Sequence, residues 1–505
     1  MEWSDTARQP RLLEQKKDKF WLTMGLCALT AALFFLPFYL IDGGFFHYAG
    51  DFNSQQISFY RYMNGFVKGA GYPDSAFTTV RNTFSWATDL GSGVMNAYSF
   101  YLYGSPFFWF SLLFPQKWLP YLMVPLLVLK FAVAGGGAYL YLRRYVKNID
   151  YAVLGAVLYA FSGFTVYNVF FNHFVDVVAL FPYLLWSLDE ALYNDRRSWF
   201  AFWVAVNLVN NYFFFIGQVV FLAIYFICKL SAGDFRLTAK KFGLLAFESV
   251  LGVAMGSILL VPAVLSILQN PRTIDLSSGW GFLTYSKVQQ YLAILVSWIM
   301  PPDSPYLTSI WSEGVIKWTS MSAYLPLCSL AGAAAYWQAK HGDSKKRIVG
   351  TCAVFALVPI LNSAFYALNS SYYARWYYMP VLVLAAMTVN ALEDHNTDLD
   401  SPARGISWLM LATVAFAVVP VKDSDTGSWS LGVLKNPGQY CAVLGFGLLG
   451  LLLYRYLCQK WRADRRFAQR MTAAVLAFAF LFSVVHIGIG KFGQWYTDSD
   501  LVEQD

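Results

Sequence analysis

Charged residues are scarce in this sequence. Asp, Glu, Lys and Arg make up 13% of its 505 residues, while hydrophobic residues make up 57% and aromatic residues 19%. A water-soluble fold of this size could not cover its surface with so few charges. Apolar runs of about 20 residues recur along the chain, and each is long enough to cross a hydrocarbon core of roughly 30 Å as a helix. The composition therefore excludes a soluble protein and predicts a polytopic membrane protein.

Cysteine is also rare, and its placement excludes a disulfide framework. The six cysteines all fall within or at the ends of apolar runs, and no two share a loop. Neither disulfides nor cysteine-ligated metals are therefore expected. The first apolar run, 21–41, follows three lysines but is long and has no small-residue cleavage site, which indicates an uncleaved anchor.

Hydropathy predicts an all-α fold, a bundle of about thirteen transmembrane helices. We expect a cytoplasmic tail at 1–20, a transmembrane domain at 21–490 and an outer tail at 491–505. The fifth run, 198–209, is too short to cross unaided, so it is tilted or is one arm of a half-depth hairpin. The predicted spans are 21–41, 118–142, 151–171, 174–193, 198–209, 212–230, 242–268, 320–338, 347–366, 373–392, 404–421, 438–458 and 471–490.

Basic residues set the expected orientation. With the N-terminus inside, the inner segments carry about 25 Lys and Arg and the outer segments about 11, which agrees with the positive-inside rule. The net charge of +7 then reflects basic residues in short inner loops. The sequence has no clustered basic patch in a soluble region, which nucleic-acid binding needs. We expect a multi-pass plasma-membrane protein that binds no nucleic acid.

Two outer segments are long, 42–117 and 269–319, and each contains an amphipathic stretch. In 53–68 an apolar residue recurs at every third position, and 287–300 has apolar residues at helical spacing. Both patterns predict helices that lie along the outer membrane surface. The alternative is that they are ordinary loop helices packed on the bundle.

Several short motifs follow one another between residues 20 and 395. They are GDFNSQQ at 50–56, FSW at 84–86, DLGSG at 89–93, YAFSGF at 159–164, NHFVD at 172–176 and ARWYYMP at 374–380. In this order they resemble the YfhO family of bacterial membrane proteins, which belongs to the GT-C class of glycosyltransferases.

The resemblance implies a GT-C fold, a helical bundle with its active site in the first large outer loop. It also implies a polyprenyl-phosphate sugar as donor, and a cell-envelope polymer or glycolipid such as lipoteichoic acid as acceptor. Members of the family commonly continue past their spans into a soluble outer domain. This sequence stops at Asp505, so it is either a short member or part of a longer chain.

Asp51 is the candidate general base. Inverting transfer of a sugar to a hydroxyl needs a base for the hydroxyl proton and cationic groups for the leaving phosphate. Asp51 follows Gly43, Gly44 and Gly50, about ten residues past the first span. The residues alone allow an N-cap equally well, with a Gln completing a capping box. The resemblance, which places the GT-C catalytic Asp in this loop, favours the base.

Arg375, with Tyr377 and further aromatic residues around it, is the candidate for holding the donor phosphate and sugar. A guanidinium can bind a phosphate through two hydrogen bonds, and aromatic rings at this depth stack on sugars or anchor a span. The alternative is a snorkelling arginine in an aromatic belt. His173 and Asp176 lie one helical turn apart, so they are expected to share a face and to orient the donor, or to form a structural pair.

Five further polar residues have less defined expectations. Gln55, Asp89 and Asn96 are candidates for acceptor or sugar contacts, although turn formation is the simpler role for Asp89 and Asn96. Lys130 and Glu248 lie inside spans, where a charge is usually partnered. They either pair with each other, or Lys130 approaches the lipid phosphate.

No cofactor is expected. A divalent metal typically needs two nearby carboxylates, but the nearest acidic residues to Asp51 in the sequence are Asp42 and Asp74. Arg375 with backbone or imidazole donors can neutralise a lipid monophosphate as leaving group. A metal-independent reaction is predicted, with a divalent ion as the alternative.

The sequence therefore predicts a membrane hexosyltransferase that uses a lipid-phosphate sugar. A transporter or flippase of lipid-linked sugars is the main alternative, because a bundle of many helices suits it too. Such proteins tend to show internal repeats and polar sites at mid-membrane, whereas here no repeat is evident and the polar residues gather at the outer interface. A non-catalytic scaffold for envelope assembly is a third possibility.

Overall fold

Helices dominate the computed structural model. It describes residues 18–68, 84–85, 88, 91–268, 281–287, 289–310, 319–340, 342–369, 373–422 and 429–492. The α-helices are α1 (Phe20–Ile41), α2 (Ser58–Lys68), α3 (Val94–Tyr98), α4 (Pro106–Ser111), α5 (Leu119–Leu142), α6 (Ile149–Ala160), α7 (Gly163–Tyr167), α8 (His173–Asn194), α9 (Trp199–Asn210), α10 (Tyr212–Ala232), α11 (Ala239–Leu268), α12 (Gln289–Ile299), α13 (Ala331–Ala339), α14 (Ser344–Leu357), α15 (Pro359–Ser363), α16 (Tyr378–Glu393), α17 (Asp400–Ala412), α18 (Pro437–Trp461) and α19 (Phe467–Phe492).

Short irregular helices and two hairpins complete the described elements. Strand β1 (Phe84–Ser85) pairs antiparallel with β2 (Ser92–Gly93), and β3 (Pro420–Lys422) pairs antiparallel with β4 (Trp429–Leu431). The π-helical segments are Phe52–Ile57 and Ser99–Tyr103, and the 3-10 segments are Gln116–Trp118, Asn168–Phe171, Ala364–Tyr366 and Thr413–Ala417.

The expected count of thirteen spans is not confirmed. Seven helical segments of the described chain are long and apolar enough to cross a membrane, or eight if α14 and α15, bent by 106° at their junction, count as one. The predicted span 320–338 is helical only over Ala331–Ala339, because the chain before it turns, with Leu327 and Ser329 at positive φ. Helices α9 and α16 are apolar but have only 12 and 16 residues.

The centre of the bundle is formed by α5, which packs against α1, α6 and α8. The segment 151–171 is buried throughout, as expected for a helical sequence that is apolar on every side. By contrast, α11 leaves large apolar residues exposed, including Val250 and Ile258. The bundle thus has a closely packed interior and an apolar outer surface suited to lipid.

Charged residues tie the loops together at one end of the bundle, which we call the basic end. Lys19 pairs with Asp150, Arg144 with Glu190, Lys340 with Asp394, and Arg455 with Asp400. The opposite end, which we call the site end, contains the loops that follow α1 and precede α8 and α16. Helix α8 connects the two ends, and its 22 residues span about 33 Å.

The two predicted amphipathic helices form but pack differently. The first consists of a π-helical turn and α2, and its apolar face is buried against the bundle. It therefore packs as a loop helix, the alternative left open by the sequence. The second, α12, leaves Leu292 and Leu295 exposed, as a helix on a membrane surface would. The buried apolar face of the first helix comprises Ile57, Tyr60, Met63 and Phe66.

Candidate functional site

Gly50 sets the backbone that presents Asp51. Its φ of +46° favours glycine, and a Cβ at this position would lie 2.9 Å from Cζ of the Phe170 ring. The chain turns directly into a helix, in which the backbone N–H of Ser54 donates to the Gly50 carbonyl at 3.0 Å. Both the backbone conformation and the close approach of Phe170 therefore require glycine before Asp51.

The Asp51 side chain does not cap the following helix. Asp51 already has helical φ and ψ angles of −58° and −29°, and its carboxylate accepts no capping hydrogen bond within the described chain. Instead Nε2 of Gln55 donates to Oδ1 of Asp51 at 3.3 Å. Partial burial raises the pKa of Asp51 above its usual value, and the nearby charge of Arg375 opposes that shift. The carboxylate is therefore available for chemistry.

Arg375 lies in the turn before α16, held among aromatic rings. Its guanidinium carbon is 4.0 Å from the centroid of the Tyr373 ring and 5.1 Å from that of Phe174. The backbone N–H of Arg375 donates to the Tyr366 hydroxyl at 2.8 Å. Its buried Nε has no hydrogen-bond partner among the residues that the structure describes. The rings surround the cation and leave its Nε–H group for a ligand.

His173 lies in the same cluster and is buried, with 4% of its surface exposed. Its ring centroid is 5.0 Å from that of Tyr101, 5.2 Å from Phe100 and 4.5 Å from Phe174, the residue that also contacts Arg375. In the described part of the chain neither imidazole nitrogen has a hydrogen-bond partner. Buried polar groups are normally hydrogen-bonded, so an unpartnered imidazole beside a guanidinium indicates a place for an anionic ligand.

Asp176 contacts Lys130, not His173. Its Oδ1 lies 2.6 Å from Nζ of Lys130, and its Oδ2 accepts a hydrogen bond from Ser105. Lys130 also donates to the backbone and side-chain oxygens of Asn172 at 3.2 and 2.7 Å. Of the two alternatives for Lys130, the pairing with Glu248 is thus not observed. The pair of Lys130 and Asp176 fixes the start of α8 and hence His173.

The remaining candidates lie apart from this cluster or cannot be placed. Tyr377 is buried, with ring contacts to Trp298 and Trp376, whereas the ring on the guanidinium is that of Tyr373. Glu248 accepts hydrogen bonds from two backbone N–H groups near the start of α9. Asp89 and the side chain of Asn96 lie outside the described residues, although the backbone of Asn96 belongs to α3.

A buried ion pair, not anticipated from the sequence, joins the first outer loop to the last helix. Nζ of Lys491 lies 2.7 Å from Oδ2 of Asp42 and 3.0 Å from the carbonyl oxygen of His47. Burial alone would raise the pKa of Asp42, but hydrogen bonds from His47 and Lys491 lower it below its usual value. The partners are 449 positions apart in the sequence, so no local pattern indicates them.

A mainly apolar cavity of about 50 Å³ is lined by Asp303, Ser304 and Thr319, among others. Thr319 accepts a hydrogen bond from the backbone N–H of Ala374, the neighbour of Arg375. Burial raises the pKa of Asp303 to about 6, against hydrogen bonds from Ser309. A second carboxylate of raised pKa therefore shares this cavity with Thr319, which contacts the neighbour of Arg375.

The fold is GT-C-like, because it is similar to that of solved structures of ArnT. The solved structure of ArnT from Cupriavidus metallidurans bound to undecaprenyl phosphate matches with a TM-score of 0.50 at 12% sequence identity, over 94% of this chain and 78% of that one. The same protein in the apo state gives a TM-score of 0.49 at 14% identity, over 94% and 77% of the two chains.

The family is settled by the sequence. The family described as bacterial membrane protein YfhO matches residues 24–497, so the chain belongs to the YfhO family, as the motifs predicted. No curated protein sequence matches the chain.

Proposed function

We propose that the protein transfers a sugar from a polyprenyl-phosphate-linked donor to an extracytoplasmic acceptor of the cell envelope, such as lipoteichoic acid. The observation that carries this proposal is the cluster at the site end. A half-buried carboxylate, Asp51, is close enough to Arg375 for the guanidinium charge to lower its pKa. Arg375 and His173 both contact the Phe174 ring, and Nε of Arg375 and both imidazole nitrogens have no hydrogen-bond partner in the described chain. The family and the GT-C fold support the class of reaction. The undecaprenyl phosphate bound to ArnT supports a polyprenyl carrier.

Each residue has a distinct part in the proposed step. Asp51 accepts the proton of the acceptor hydroxyl while that oxygen attacks the anomeric carbon from the face opposite the phosphate. The bond from the anomeric carbon to the phosphate oxygen breaks, and its electron pair leaves with the polyprenyl phosphate. Arg375 and His173 hold the phosphate as its charge grows. The product is a glycoside of inverted configuration.

The surroundings of Asp51 suit a base. Burial raises its pKa, and a carboxylate of raised pKa accepts a proton more readily. Arg375 keeps it ionised before the hydroxyl arrives. A guanidinium and an imidazole supply the donors that a phosphate monoester needs, so we propose that the reaction needs no metal and that Gln55 steadies the carboxylate through its hydrogen bond.

The basic end is proposed to face the cytoplasm, because the cations of its short loops satisfy the positive-inside rule. The site end then faces outside, where the envelope acceptor is found. We therefore propose that the N-terminus lies in the cytoplasm and that transfer takes place at the outer surface of the bacterial plasma membrane.

Asp51→Asn tests the proposed reaction. Asn is nearly isosteric, so the loop should remain folded and the variant should still bind a polyprenyl-phosphate sugar. It cannot accept the proton, so transfer should fall about 100- to 10,000-fold. Purified protein is incubated with radiolabelled polyprenyl-phosphate sugars and envelope polymers, and bound donor and transferred sugar are counted separately.

Asp398→Asn is the matched control, because Asp398 is exposed at the basic end and should leave transfer unchanged. If Asp51→Asn transfers within about threefold of the parent, Asp51 is not the base. If the parent only moves donor across a vesicle membrane and forms no glycoside, the protein is a transporter.

A further inference from the structure

An apolar groove opens between α10 and α11 on the outside of the bundle. Its volume is about 460 Å³, whereas a cavity of roughly 150 Å³ already accommodates benzene. Its walls include Val219 and Phe226 of α10 and Phe242 and Val250 of α11. A groove of this size and lining suits a long hydrocarbon chain.

A basic pocket adjoins this groove at the basic end. Leu245 lines both spaces, so the groove leads into the pocket. The charged side chains that line the pocket come from the loop after α8 and from the first turns of α11. They are Arg196, Arg197, Lys241, Asp195 and Glu248.

The carboxylates of this pocket are already engaged, whereas one of its cations is not. Glu248 accepts hydrogen bonds from two backbone N–H groups at 3.1 and 3.3 Å. Asp195, whose side chain is 77% exposed, lies 3.6 Å from Lys241. Arg196 pairs with Glu190 at 3.2 Å. Arg197 is exposed, and no carboxylate of the described chain lies within ion-pairing distance of it. The mouth of the groove therefore offers a free positive charge.

The position of the pocket matches a membrane–water interface. Trp199, two residues beyond Arg197, is half-exposed, and tryptophan is enriched at such interfaces. Helix α8 separates the pocket from His173 by about 33 Å, close to the thickness of a hydrocarbon core. The pocket therefore lies at the membrane surface opposite the Asp51 and Arg375 site.

We propose that the pocket and the groove form a binding site for an anionic phospholipid. The negatively charged headgroup contacts Arg197 and Lys241, and an acyl chain lies in the groove between α10 and α11. A zwitterionic lipid offers the same chains without the net negative charge, so one basic residue should favour the anionic lipid about fivefold in affinity. This site is independent of the proposed transfer reaction.

Native mass spectrometry of the full-length, detergent-purified protein tests the site. The probes are phosphatidylglycerol and phosphatidylcholine with identical acyl chains. The parent should retain phosphatidylglycerol preferentially. Arg197→Gln should reduce its retention about fivefold and leave phosphatidylcholine unchanged. Ala246→Phe, which fills the groove, should reduce the retention of both lipids.

Arg465→Gln is the matched control, because Arg465 is exposed at the same end, in the loop between α18 and α19; it should retain both lipids as the parent does. Equal retention of the two lipids by the parent, or an unchanged preference in Arg197→Gln, would overturn the site. An equal loss in both arginine variants would indicate general surface attraction and also overturn it. If Ala246→Phe retains both lipids as the parent does, no acyl chain lies in the groove and the site is overturned.

Discussion

The guanidinium carbon of Arg375 lies 4.0 Å from the centroid of the Tyr373 ring, and this contact restricts the direction of its N–H groups. Arg375→Lys keeps the charge but loses both the planar fork and the stacking. We expect a loss of about 2–4 kcal/mol of transition-state stabilisation, measured as kcat/KM with a polyprenyl-phosphate sugar. Arg404→Lys, an exposed position on α17, is the control. Near-normal turnover in a folded Arg375→Lys variant would leave Arg375 with the role of a membrane anchor.

The pH dependence of transfer should report on Asp51. A base acts only when ionised, so transfer should fall as the pH drops through the pKa of Asp51, which burial raises above the usual value of roughly 4. Arg375 lowers that pKa. On acidification, the residual activity of Arg375→Gln should therefore begin to fall at a higher pH than the activity of the parent. Single-turnover rates measured between acid and neutral pH test this expectation.

Asp303 also titrates, with a pKa of about 6, and provides the control. Asp303→Asn should retain the acidic limb if Asp51 is the base. A profile that becomes flat in Asp303→Asn, but not in Arg375→Gln, would assign the limb to Asp303.

At this scale the sequence identifies the residue types but not their neighbours. Asp51, His173 and Arg375 are predicted as site residues because they are polar residues at the ends of apolar runs. The structure places them at one end of the bundle. The turn before α16 decides which tyrosine contacts the guanidinium. The sequence favours Tyr377, whereas in the structure Tyr373 makes the contact. The pairing of Lys130 with Asp176 depends on how α5 packs against α8.

The helical turn that begins at Asp51 depends on Gly50. Gly50→Ala forces a side chain into the left-handed region and against the Phe170 ring, at a cost of about 1–3 kcal/mol. We expect a lower unfolding temperature in detergent and a larger loss of transfer, because Asp51 is displaced. Gly25→Ala in α1 is the matched control, since its Cβ would meet nothing within 4 Å. Equal, unchanged activity in the two variants would contradict a requirement for glycine at position 50.

Elements were predictable where a single long apolar run forms a single straight helix. The ends of α1, α5, α10, α18 and α19 lie within a few residues of the expected spans. Hydropathy carries no information on the direction of the backbone. It therefore predicts continuous spans across the turns at Leu327 and Ser329 and across the bend between α14 and α15. Burial of the face from Ile57 to Phe66 likewise depends on what lies beside the helix.

The orientation of the whole molecule can be tested with single cysteines. Cys441 is the exposed cysteine of the parent, so it is first replaced by Ala. In that background Ser54→Cys, exposed near Asp51, should react with a membrane-impermeant reagent in intact cells. Arg465→Cys at the basic end should react only after permeabilisation. Protection of Ser54→Cys together with labelling of Arg465→Cys would reverse the proposed orientation.

The ion pair between Asp42 and Lys491 links the beginning of the chain to its end, and this has a consequence for biosynthesis. The ribosome makes the loop that carries Asp51 early. Lys491, the cation that pairs with Asp42 at the start of that loop, follows 449 residues after Asp42. At about 5–20 residues per second the nascent loop waits roughly 20 to 90 s for its partner. The first part of the site is therefore made early and its last contact is made late. A chain released before α19 is made would contain Asp51, His173 and Arg375 but would lack the ion pair that holds the loop.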